Sequence, residues 1–296
     1  MRWRMEVRRL TKIARGQDGA VWGKYLFRFQ MDGSCHVYDL DEMKPTAPGG
    51  YQPALCCMDL HKTDRLVPHC NGVFFGTQFY APDDEFPLLY ANIYNNYKDF
   101  DDRRAGQCCV YRVQREKDRF TTTLVQLLKV DFTDVSGLWC SEHGADQRPY
   151  GNFVIDREAE KLYAFTMIDD LQVTRFFGFS IPRVSQGTWD PDLDIRVHTL
   201  TREDIREQFD CEYQRFIQGV CCHKGIIYSL EGLAQFPQEH GLAIISTEQK
   251  CRLQTYRFSD CGLHIEPELI DFYNGQCIYA DNAGNCYALH FEPAEG

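Results

Sequence analysis

No stretch of the sequence approaches the roughly 20 consecutive apolar residues of a membrane-spanning helix. The N-terminal Met1-Arg2-Trp3-Arg4-Met5-Glu6 also lacks the apolar run of roughly 7–15 residues that a signal peptide needs. The expected location is therefore the cytoplasm, with no membrane partner. Helix signals are scarce; the one good candidate is 201–209, where Thr201 can cap and acidic residues fill the first turn. A basic face is missing too. The net charge is −11, and the only basic excess, Arg2 to Lys12, is interrupted by Glu6. That argues against a nucleic-acid partner and fits a charged edge strand that deters sheet pairing. No C-x-x-C, G-x-S-x-G, Walker A or G-x-G-x-x-G pattern occurs, so thiol–zinc, nucleophile-elbow and dinucleotide chemistries have no support. Cysteine is not scarce, at 14 residues, but most cysteines lie inside apolar strand runs. The adjacent pairs Cys56-Cys57, Cys108-Cys109 and Cys221-Cys222 project to opposite faces of a strand, poor geometry for a bridge. Small buried hydrophobes in a reducing compartment fit better.

What is present is a phrase used five times: a polar residue followed by a short apolar run, then a turn and further strands. It reads Asp18-Gly19-Ala20-Val21-Trp22, Asn71-Gly72-Val73-Phe74-Phe75, and Gly151-Asn152-Phe153-Val154-Ile155. It returns as Gln218-Gly219-Val220-Cys221-Cys222 and Glu268-Leu269-Ile270-Asp271-Phe272. The rest is rich in β-branched and aromatic residues punctuated by turn chemistry. A degenerate repeat of this kind predicts an all-β chain, 1–296 as a single β-propeller of five four-stranded blades, with a WD40-like repeat rhythm.

The expected strands of the first blade are 19–23, 25–30, 34–40 and 54–60. The second begins at 71 and continues at 86–94, 108–113 and 121–130. The third has 151–156, 161–167, 174–181 and 195–200. The fourth has 218–222, 226–231, 241–247 and 252–258. The last has only 268–273, 276–280 and 285–291, so the N-terminal segment 5–13 should supply its outer strand and remove two open edges. A sixth blade stays open as an alternative if one of the long loops, 97–106 or 133–149, hides it.

Residues that open the innermost strands should ring one mouth of the central channel, where several blades converge. Here they are Asp18, Asn71, Asn152, Gln218 and Glu268, with His69, Tyr150 and Glu266 just outside. Acids and carboxamides without Lys or Arg suit a hydroxylated or cationic ligand, or a hard cation held through oxygen. The same residues equally suit packing at a crowded axis. His69 is the histidine best placed for acid–base work. Trp139 and Trp189, on two long loops, can flank a ligand or pack on a blade. Asp190, Asp192 and Asp194 mimic the start of a calcium loop, but Ile195 and Thr201 stand where Gly and Glu are needed.

The blade phrases resemble β-propeller proteins broadly, including uncharacterised bacterial ones. Asp18, Asn71, Asn152 and Glu268 around an axis are similar to the calcium-binding ring of gluconolactonase-type propellers, which have six blades. Two functions follow. The first is a binding or scaffold propeller that recognises a small polar ligand or a peptide at the funnel, favoured because no nucleophile–base pair stands out. The alternative, which the resemblance implies, is a metal-assisted hydrolase or lactonase. There a calcium held by those four residues polarises a carbonyl and His69 moves a proton.

Overall fold

In the computed structural model, which describes residues 3–47, 49–61, 66–93, 104–143 and 152–293, the strands form five antiparallel-based sheets. Strand β1 (Trp3–Lys12) comes first in the chain but belongs to the last sheet. The first blade is β2 (Gly19–Trp22), β3 (Tyr25–Phe29), β4 (Ser34–Asp39) and β5 (Cys56–Asp59). The second is β6 (Pro68–Phe75), β7 (Leu89–Ile93), β8 (Gln107–Glu116) and β9 (Arg119–Val130). The third begins with β10 (Asn152–Asp156), β11 (Lys161–Ile168) and β12 (Val173–Ser180). Two strands then leave it: β13 (Thr188–Asp190) and β14 (Ile195–Leu200). The chain returns with β15 (Glu207–Glu212), which completes the third blade. The fourth is β16 (Ile217–His223), β17 (Ile226–Glu231), β18 (Gly241–Ser246) and β19 (Cys251–Arg257). The fifth is β20 (Pro267–Tyr273), β21 (Gln276–Asp281) and β22 (Asn285–Pro293), closed by β1.

Inner strands close the ring. β2 packs against β6 and β20, β10 against β6 and β16, and β16 against β20. The chain is a five-bladed β-propeller.

The closure expected from the short last repeat is present, since β1 pairs antiparallel with β22 from Trp3↔Pro293 to Lys12↔Asn285. The Gln254 side chain latches this strand to the fourth blade, accepting from the Trp3 amide at 3.0 Å and donating to its carbonyl at 2.7 Å. Blades pack through aromatic layers. Between the first two, Phe27, Phe75, Phe86 and Phe120 meet mostly edge to face at 5.4–6.2 Å, each burial contributing roughly 2–3 kcal/mol.

Two expectations need correction. Residues 195–200 are not the outer strand of the third blade: β14 pairs parallel with β9 and extends the second blade to six strands. The true outer strand is β15, where Phe209 and Cys211 face inward with period two. The helix expected over 201–209 is therefore a single 3₁₀ turn, Arg202–Asp204. Thr201 does mark its start, donating from both its amide and its hydroxyl to Asp204 Oδ2 at 2.8 Å. The alternating pattern behind it then wins over helix continuation, because it buries side chains against β12.

Trp139 is not a ligand-flanking aromatic. It is fully buried, stacked on Phe177 at 5.7 Å and edge-on to Phe132. Trp189, on the short β13, is half exposed. Asp190 forms an Asx-type turn, accepting from the amides of Asp192 and Leu193. All 14 cysteines are free thiols. Among the described residues no helix is long and apolar enough to cross a membrane.

Candidate functional site

The five ring residues do meet at the axis, and all are buried. Their polar atoms mostly serve neighbouring blades. Asp18, just before β2, accepts through Oδ2 from the amide of Val73 on β6 at 3.1 Å and from that of Val220 on β16 at 3.3 Å. One carboxylate thus ties three blades. Asn152 donates to the backbone carbonyl of Asn71 at 3.0 Å and to that of Gln218 at 3.5 Å. Asn71 accepts in turn from Asn92 on β7 at 2.6 Å. Gln218 donates to the carbonyl of Gly232 and to Glu266 Oε1, both at 2.9 Å.

Glycine follows three of these residues because the axis leaves no room for a side chain. A Cβ at Gly72 would lie 2.0 Å from Asn152 Oδ1, and one at Gly219 would lie 2.0 Å from the Glu268 carbonyl. Apolar strands spaced by small residues bring the backbones this close, and polar ring side chains then satisfy amides that the crowding cuts off from water.

Glu268 and Asp18 differ from the other three. Glu268 Oε1 accepts from Asn282 at 2.9 Å and Gln17 at 3.3 Å, whereas Oε2 is buried without a partner. Asp18 Oδ1 is likewise buried and unpartnered. Burial raises both acids. Glu268 is pushed up to about 8, with repulsion from Glu266 and Asp18 outweighed as a cause by loss of water. Asp18 is raised well above the usual carboxylate range despite its backbone amide partners. At neutral pH Glu268 is thus held mainly as the neutral acid.

Sequence reasoning missed Arg28. This residue of β3 is fully buried behind the ring and donates to the carbonyls of Gly16 at 2.7 Å, Asp281 at 2.8 Å and Gln17. Desolvation lowers its pKa, and the charges of Glu268, Asp18 and Asp281 oppose that. A signal existed: a lone charge between Phe27 and Phe29, in a strand buried at every position. His69 lies half-buried on β6, two residues before Asn71, and Glu266 sits half-buried beside Gln218. Tyr150 lies outside the described residues.

The ring fits calcium poorly. Asn71 Oδ1 already accepts from Asn92, and Asn152 Oδ1 accepts from the Phe153 amide at 2.8 Å. That leaves one oxygen each on Asp18 and Glu268, against the roughly six to eight a calcium ion takes. Among the described residues no three His, Cys, Asp or Glu side chains cluster as metal ligands.

No protein-family profile matches the chain, and no curated protein does. Solved structures do align along it. A glutaminyl cyclase from Myxococcus xanthus is 11% identical over 99% of this chain and 97% of its own, with a TM-score of 0.47. A putative oxidoreductase (glucose dehydrogenase) from Thermus thermophilus is 11% identical over 97% of this chain and 100% of its own, at 0.45. An exo-β-1,3-galactanase from Phanerochaete chrysosporium is 10% identical over 97% of this chain and 64% of its own, also at 0.47. These varied proteins carry no argument about activity here.

Proposed function

We propose that the protein is a non-catalytic binding propeller that recognises a small polar ligand or a peptide at the mouth formed by Gln17, Glu266, Glu268 and Asn282. The observation that carries this reading is Glu268 Oε2, a buried polar atom with no partner between two amide side chains that fix its sister oxygen. Such an orphan costs roughly 1–3 kcal/mol, which a ligand atom pairing with it would recover. Since Glu268 is held mainly as the acid, Oε2–H donates, and the ligand offers a hydroxyl or a carbonyl oxygen. Half-buried Gln17, Glu266 and Asn282 supply further donors and acceptors at the rim.

Thermal-shift titration with glycerol, glucose and triglycine tests the reading at pH 6 and pH 9. At least one probe is expected to raise the Tm at pH 6 and to lose its effect at pH 9, where Glu268 ionises. Glu268→Gln, which mimics the neutral acid, should keep the shift at both pH values, and Glu268→Leu should lose it. No shift with any probe, or a shift that Glu268→Leu retains, contradicts the reading. Calcium is a separate arm with the opposite signature. A calcium-induced shift that grows from pH 6 to pH 9 and vanishes in Glu268→Gln would replace the reading with the metal-assisted one.

A further inference from the structure

The other end of the axis, where the inner strands finish, has a pocket of its own, about 390 Å³ in volume. Three blades supply it. Arg157 comes from the turn after β10, Trp22 from the end of β2, and Phe272, Tyr273 and Asn274 from the end of β20. Arg157 reaches across from the third blade to lie 6.0 Å from the Trp22 ring and 3.9 Å from Asp271 Oδ1. Its side chain is 27% exposed, and its guanidinium makes no hydrogen bond with any described residue beyond the long ion pair to Asp271. The ion pair with Asp271 is long and leaves the guanidinium N–H donors without a hydrogen bond to it. That carboxylate is committed to the amides of Val21 at 2.6 Å and Phe272 at 2.8 Å, and burial raises its pKa.

The aromatic walls are held from behind. Trp22 donates through Nε1 to the Glu85 carbonyl at 3.2 Å and packs on Phe75 and Phe79. Phe272 is stacked on His223 at 4.2 Å, and Tyr273 donates its hydroxyl to Asp41. The walls therefore need little ordering on binding, which lowers its entropic cost.

We infer that this pocket is a binding site for a small planar carboxylate, with the Arg157 fork on the carboxylate and the flat body between Trp22 and Phe272. A guanidinium with unspent donors matches a carboxylate through two parallel N–H···O bonds. Aromatic walls favour a flat apolar body over a bare ion. Asp271, 3.9 Å from the guanidinium, and the net charge of −11 oppose a phosphate dianion more than a singly charged carboxylate. The site is independent of Glu268 and lies at the opposite mouth.

Calorimetric titration of the full chain with benzoate tests this. Saturable binding with a Kd of about 1–10 mM is expected for so few atoms. Arg157→Gln should weaken it about tenfold or more, and Arg157→Lys, which keeps the charge but not the fork, by about fivefold. Benzamide and benzylammonium, which keep the ring and lack the carboxylate, should bind at least about tenfold more weakly. Glu268→Gln should leave benzoate binding unchanged, so this site and the other mouth stand or fall separately. The inference is overturned if benzoate fails to saturate by about 50 mM, or if benzamide binds as well. It is equally overturned if inorganic phosphate binds more tightly than benzoate, or if Arg157→Lys binds like the parent. The last comparison holds even should Arg157→Gln fail to fold.

Discussion

Asp18 shows how one side chain can tie three blades. Its Oδ2 accepts from the amides of Val73 on β6 and Val220 on β16, both in other blades. Asp18→Ala takes this acceptor from both buried donors at roughly 1–3 kcal/mol each, so a loss of about 3 kcal/mol or more is expected in denaturant unfolding. Asp18→Asn keeps an acceptor oxygen and should lose less than half as much. Equal losses in the two variants would contradict the acceptor role given to Oδ2. Arg28 makes a related case. Its planar fork serves three carbonyls from one buried position, which a lysine ammonium on a flexible stem cannot reproduce. Arg28→Lys should therefore destabilise the protein by about 2 kcal/mol or more, a core-sized effect. A melt within a degree of the parent would contradict the role given to the fork.

Strands are where the sequence was most and least readable. Alternation and turn residues located the inner strands β2, β6, β10, β16 and β20 because each brings a polar residue to the crowded axis, followed by glycine in three of the five. Outer strands carry no such shared mark. Residues 195–200 and 207–212 both alternate, and only tertiary pairing decides that the first joins β9 in parallel while the second closes the third blade. Helix-start chemistry at Thr201 was real but local. The buried polar residues split the same way. Ring positions were legible from the repeat, whereas the use of their atoms between blades depends on distances that no spacing reveals. Arg157 and Trp22 were invisible as a pair because they lie on different blades. The β1–β22 pairing has its own test. Removing residues 1–13 exposes the edge of β22 and the latch on Gln254, and the truncated chain is expected to aggregate or melt far below the full one. Identical melting curves would show that the closure is dispensable.

At the scale of the whole molecule, the propeller has two unlike ends joined by a closed axis. One end holds a neutralised acid with an unspent oxygen; the other holds an arginine with unspent donors between fixed aromatic rings. Between them Asp18 and Asn152 tie inner strands of neighbouring blades through their side chains. The buried acids give this arrangement a thermodynamic signature. Glu268 binds a proton more tightly folded, at about 8, than unfolded, near 4.5. Between those values the folded state carries the extra proton, so raising the pH costs stability, at most about 1.4 kcal/mol per pH unit for this group. Asp18, Asp271 and Asp281 are raised and add in the same direction. Glu207 works in the opposite sense. Its ion pairs and the Tyr163 hydroxyl hold it down at about 2, so its contribution is full above about 4.5 and is lost only as the pH falls towards 2.

The central claim is that Glu268 is a buried acid whose second oxygen the fold leaves unspent. Unfolding free energy measured from pH 5 to pH 8 for the parent and for Glu268→Gln tests it most directly. The parent should lose stability across that window, and the variant should lose about one proton's worth less, the two curves diverging as the pH rises. Parallel curves would contradict the claim.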